Sequence, residues 1–117
     1  MSRYVEVAGV GDLTDGTMKK ATVEGRDLLL VRVDGRYYAT NHSCPHMGGL
    51  LSLGRLDGTI VTCPRHGSQF DVTSGRVIRW THWTGIVLIL AKMYKRPRPL
   101  KTYPTQTEGD RVLVDMG

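Results

Sequence analysis

Six dipeptides in which an acidic residue or serine precedes glycine punctuate the chain: Asp15-Gly16, Glu24-Gly25, Asp34-Gly35, Asp57-Gly58, Ser74-Gly75 and Glu108-Gly109. Glycine at such points supplies the positive φ that tight hairpins require. The runs beside them cover residues 18–23, 28–33, 36–40, 59–62, 69–72, 76–80 and 111–115. They are rich in Val, Leu, Ile and Tyr and too short for helices, so they predict strands. The expected fold is all-β, an antiparallel sandwich or barrel. Residues 84–94 fit a short helix or a strand, and periodicity does not separate the two. At 117 residues the chain has the length of a single domain, 1–117, with one sizeable core.

Composition narrows the function classes. A net charge of +5 suits an acidic partner protein. Only 7% of residues are aromatic and no long basic run occurs, which argues against nucleic acid. The most apolar run, GIVLILA at 85–91, falls far short of the roughly 20 residues a membrane-spanning helix needs. The start, MSRYVEVAGVGDL, lacks the apolar core of a secretory leader. A cytoplasmic protein is expected, with its two cysteines engaged otherwise than in a disulfide.

Those cysteines sit in two segments dense in Gly, Pro, Cys and His, expected to be loops over about 42–56 and 63–70. CPHMGG (44–49) and CPRHGSQFD (63–71) each pair one cysteine with one histidine. The pattern reads Cys44-x-His46, sixteen residues, then Cys63-x2-His66, and it uses both cysteines of the chain. This is a metal-ligand pattern. Zinc fingers usually place cysteines together and histidines together. Mixed loops suit two metal ions, with both cysteines on one iron and both histidines on the other, the Rieske [2Fe–2S] arrangement. A single tetrahedral zinc is the alternative.

On these residues the chain resembles the Rieske iron–sulfur proteins, and the resemblance runs from Tyr4 to Asp115. It implies a Rieske-like antiparallel β-sandwich or barrel with two cluster-binding loops at one end and one [2Fe–2S] cluster per chain. Cys44 and Cys63 would hold the inner iron, His46 and His66 the outer one, where the added electron mainly resides. Replacing two thiolates by neutral imidazoles lifts the potential from about −400 mV into a window of about −150 to +300 mV. Gly48, Gly49 and Gly67 would let backbone N–H groups approach the sulfurs, although a simple turn role fits them equally. Ser68 matches a serine that hydrogen-bonds a sulfide in respiratory members. Pro97, in RPRPL, matches the proline loop over the cluster's third side, after an insertion around residues 81–94; insertion and proline loop together span about 81–99.

Two departures place the chain within the family. Respiratory members carry a disulfide between the loops, where this chain has Gly49 and Arg65, and a tyrosine where it has Phe70. The resemblance is therefore to the low-potential, oxygenase-associated ferredoxins, and Phe70→Tyr is expected to raise the potential. His42, two residues before Cys44, reads as a loop residue rather than a ligand, and His82 as structural or exposed. Trp80 and Trp83 read as anchors. Lys92, Lys95, Arg96, Arg98 and Lys101 form either a docking face for an acidic partner or a solvated loop at the sheet edge.

The resemblance implies a soluble one-electron carrier between a flavin-dependent reductase and a terminal, ring-hydroxylating oxygenase. Both partnerships would be transient and the carrier a monomer. The alternative is a fixed small subunit of a larger reductase complex such as nitrite reductase. Catalysis by the chain itself is not expected. A Rieske oxygenase adds a mononuclear iron held by two histidines and a carboxylate, and only His42 and His82 remain.

Overall fold

Leu28, Leu29, Leu30 and Val31 are all buried to within 1% of full burial. Successive side chains of a strand point to opposite faces, so four buried in a row require cover on both sides. The computed structural model, which describes residues 2–45, 49–65, 67–79 and 98–117, supplies that cover with three antiparallel sheets. Strands β1 (Tyr4–Gly9), β11 (Arg111–Asp115) and β10 (Thr105–Glu108) form the first sheet. The second runs β2 (Thr17–Val23), β3 (Arg26–Val33), β4 (Arg36–Asn41) and β9 (Thr102–Tyr103). The third runs β5 (Arg55–Asp57), β6 (Ile60–Thr62), β7 (Gln69–Asp71) and β8 (Val77–Arg79).

Strand β3 divides its side chains between two cores. Leu28 and Leu30 join Val23, Tyr37, Val112 and Val114 on one side. Leu29 and Val31 join Leu51, Val61, Phe70, Val72 and Leu100 on the other. The fold is all-β, as expected, with no α-helix among the described residues. No helix there is long and apolar enough to cross a membrane.

All six turn glycines adopt positive φ, between 59° and 80°. Glu24 (54°) and Asp34 (52°) share it with the glycines that follow them, the pattern of the hairpin turn whose twist matches its strands. At Pro104 the chain leaves the second sheet for the first. Proline has no N–H to continue a ladder, so β9 stops after two pairs and β10 begins beside β11.

Several boundaries differ from expectation. The first loop ends sooner than residue 56, because Arg55 and Leu56 already pair with Thr62 and Val61 in β5. The second loop ends before residue 69, because Gln69 and Phe70 belong to β7, within the strand expected over 69–72, and pair with Thr62 and Val61. Strands β1, β5, β9 and β10 were not foreseen. Segment 84–94 and the insertion at 81–94 lie outside the described residues, as do Trp80, His82, Trp83, Lys92, Lys95 and Arg96.

Candidate metal centre

The two Cys–His loops are built on one plan. Ser43 and Leu50 form an antiparallel bridge, and inside it the Cys44 N–H donates to the Gly49 carbonyl at 2.8 Å. Thr62 and Gln69 pair in the same way, and the Cys63 N–H donates to the Ser68 carbonyl at 2.8 Å. Each ladder thus closes around six residues, CPHMGG and CPRHGS, with cysteine first. Ring closure by a backbone donor fixes the main chain of each cysteine. In the second loop Gly67 has a φ of 71° and donates to the Cys63 carbonyl at 3.2 Å.

Both cysteines are buried in the second core, at 3% and 2% exposure, and no disulfide joins them. The loops touch through Gly49. A Cβ there would stand 2.5 Å from Cys63 Sγ and 3.4 Å from Arg65 Cβ. Gly49 and Arg65 are therefore opposed across the loops, as the two disulfide positions of respiratory members would have to be. Gly54 makes a second close approach, since its Cβ would lie 2.0 Å from the Thr62 carbonyl oxygen. The flanking segment 98–100 is anchored by a Leu100 N–H bond to the Gly75 carbonyl at 2.8 Å and by burial of Leu100.

Two arginines hold the loops from outside. Arg79 donates Nε and Nη2 to the Gly67 carbonyl at 3.2 and 3.1 Å. Arg98 donates Nη2 to the Pro45 carbonyl at 3.4 Å. Neither role was read from the sequence, because a side chain that bonds a backbone carbonyl leaves no residue signature at the acceptor. His42 is a loop residue, as expected, but a buried one at 4% exposure. Its Nε2 lies 2.6 Å from Ser52 Oγ. Burial pushes its pKa down, with Lys20 acting the same way and Asp27 opposing, so the imidazole is biased toward the neutral form that a buried ring needs.

Of the residues singled out in the sequence, Cys44, Cys63, Gly49, Gly67 and Ser68 are brought together at this end of the third sheet. Ser68 is fully buried. His46, His66, Gly48 and Pro97 lie outside the described residues. Among the described residues no three of His, Cys, Asp and Glu converge as metal ligands. The donor set that is described fits an iron–sulfur core. Two soft sulfur donors sit on a dry apolar floor, with a glycine where a side chain would fill the space beside one of them.

Comparison with known proteins agrees. Residues 3–104 match the Rieske [2Fe-2S] domain family. The chain is 32% identical over 114 residues to the ferredoxin component of the naphthalene 1,2-dioxygenase system of Pseudomonas aeruginosa, covering 97% of this chain and 96% of that protein. The solved ferredoxin of Sphingomonas yanoikuyae B1 superposes with a TM-score of 0.77 at 28% identity, covering 98% of this chain and all of the other. A chain from the complex of reduced oxygenase and oxidised ferredoxin of carbazole 1,9a-dioxygenase superposes at 0.76 with 26% identity, covering 96% and 92%. Sequence motif, paired loops and family match lead to one conclusion: the chain belongs to the Rieske [2Fe-2S] domain family, whose cofactor is a [2Fe–2S] cluster.

Proposed function

We propose that this chain is the ferredoxin component of a multicomponent oxygenase system. It is a one-electron carrier and not itself a catalyst, taking electrons from a flavin-dependent reductase and passing them to a terminal, ring-hydroxylating oxygenase. The observation that carries this reading is the meeting of the two cysteine loops, with Gly49 laid against Cys63 Sγ. Near full-length likeness to the naphthalene dioxygenase ferredoxin supports the partner classes.

Cys44 and Cys63 are the proposed thiolate ligands, with His46 and His66 as the imidazole pair. When bound, the cluster takes up and returns a single electron. The chain's own part is to keep the sulfurs dry, hold the loops at fixed separation and leave the tip accessible. The second core supplies the first, the Gly49 and Gly54 contacts the second. Ser68 and the Gly67 backbone are the proposed hydrogen-bond donors to the sulfurs, with Gly48 and Pro97 proposed to complete the surround. The reading treats 1–117 as one domain, since β3 is common to both cores. It also takes the chain as a cytoplasmic monomer that meets its partners transiently, consistent with two thiols kept out of a disulfide.

The test is an EPR spectrum of the dithionite-reduced protein. A rhombic signal with average g below the free-electron value is expected for mixed nitrogen and sulfur ligation. An EPR-silent protein containing one zinc per chain sinks the proposal.

A further inference from the structure

Charge is divided unevenly along this chain. Between Asp34 and Glu108 it carries ten Lys and Arg against two carboxylates, a net of +8; the rest carries six against nine, a net of −3. The third sheet turns this imbalance into a direction. Its row nearest the second loop reads Arg55, Thr62, Gln69, Arg79 across four strands. Its far row reads Asp57, Ile60, Asp71. Both carboxylates of the basic stretch thus sit away from the cysteines, and arginines flank the loop that holds Cys63.

The arginine row faces outward, since the alternate residues Val61 and Phe70 are fully buried. Arg55, Arg65, Arg79 and Arg98 are all exposed. Ion pairs among the described residues join Arg3 to Glu24, Lys19 to Asp12, Arg32 to Asp15, and Arg111 to Glu6 and Glu108. All lie outside this face, so no described carboxylate pairs with Arg55 or Arg79. A groove lined by Leu53, Arg55, Pro64 and Arg65 reaches Cys63. Leu53, 71% exposed, puts an apolar side chain at its rim.

We propose that this face, formed by Leu53, Arg55, Arg65 and Arg79, docks a protein partner through an acidic surface, with partner carboxylates seated between the arginines. The inference rests on the electron-carrier reading and adds the polarity and position of the encounter. Arginine around an exposed apolar centre is the composition of a protein interface. An exposed leucine adds nothing to phosphate contacts, which disfavours nucleic acid. A patch set beside a buried redox ligand shortens the path from encounter to transfer, and exposed positive charge steers that encounter.

The test uses the reduced holoprotein, which passes one electron to hexacyanoferrate(III), giving hexacyanoferrate(II). Raising ionic strength from about 0.01 M to about 0.1 M shortens the Debye length from about 30 Å to about 10 Å. The rate should fall about tenfold over that range, the low end of electrostatic steering. With the cationic oxidant hexaamminecobalt(III) it should not fall. Poly-L-glutamate at low salt should slow the hexacyanoferrate reaction by covering the face, and poly-L-lysine should not. R55E/R65E should abolish both the salt dependence and the polyglutamate effect, while Arg36→Glu at the opposite end of β4 should preserve both. An unchanged salt slope in R55E/R65E, or no inhibition by polyglutamate, overturns the proposal. So does a DNA duplex of about 20 base pairs held more tightly than about 1 μM at physiological salt, which would reassign the face to nucleic acid. Reduced protein without the rhombic EPR signal refutes the carrier reading instead, and the two failures are distinct.

Discussion

Replacing Gly54 by alanine tests whether the two loops are fixed by direct backbone contact. Gly54 has a φ of −88°, so no left-handed backbone adds to the penalty. The new methyl would stand 2.0 Å from the Thr62 carbonyl oxygen and 3.1 Å from Pro64 Cδ. A relaxed carbon–oxygen contact needs about 3.3 Å, so one backbone segment must retreat by about 1.3 Å. The segment that gives way leads directly into Cys63. Overpacking costs about 1–3 kcal/mol, and backbone displacement puts this case near about 3. An unfolding entropy of about 2.1 cal/mol/K per residue gives about 0.25 kcal/mol/K for a chain this long, so Tm should fall by about 12 °C. Scanning calorimetry and the iron-to-protein ratio should be measured on the same samples. Gly11→Ala is the control, because a Cβ there meets nothing within 4 Å; it should stay within about 2 °C of wild type. A Gly54→Ala protein with full iron and an equally small change in Tm would refute the contact argument.

Three further outcomes are expected. Phe70 is fully buried, and Phe70→Tyr should raise the reduction potential by about 60 mV, equivalent to one hydrogen bond of about 1.4 kcal/mol to the reduced form; a redox titration without a shift refutes this. Burial alone would raise the pKa of Asp71, but bonds from the Thr73 hydroxyl and N–H, the Thr59 hydroxyl and the charge of Arg76 outweigh it and hold the carboxyl below its usual value. A depressed carboxyl stabilises the fold above its unfolded pKa of about 3.9 and loses that contribution as pH falls through the folded value. Urea midpoints taken between about pH 6 and about pH 3 should therefore fall more steeply for wild type than for Asp71→Asn, and parallel curves would exclude the effect. Leu100→Ala should cost about 2–5 kcal/mol in urea unfolding, since Leu100 is 2% exposed in the second core; a loss below about 1 kcal/mol would mean segment 98–100 is not anchored there.

The hairpin turns and the strands beside them were legible because X-Gly punctuation and short β-branched runs are local signals. Strand β10, TQTE, was not, because it carries no buried residue and is defined by its pairing with β11. The strand β9 hides between Pro99 and Pro104 in a stretch that reads as irregular. Strand β1 shows weak alternation, and its register shifts between Glu6 and Ala8. Both cysteines could be selected from the sequence because residue type and spacing carry metal chemistry. The shared frame of the two loops could not. It depends on Ser43–Leu50 and Thr62–Gln69 pairing, and the histidines occupy different positions, third in one loop and fourth in the other. The arginine row also needed register, since its members come from residues 55 and 79.

Cys44 and Cys63 belong to only one of the two interiors that β3 separates. The other contains no sulfur ligand, so nothing in its packing waits for iron. Loss of the cluster would withdraw support first from the interior that holds Cys44 and Cys63.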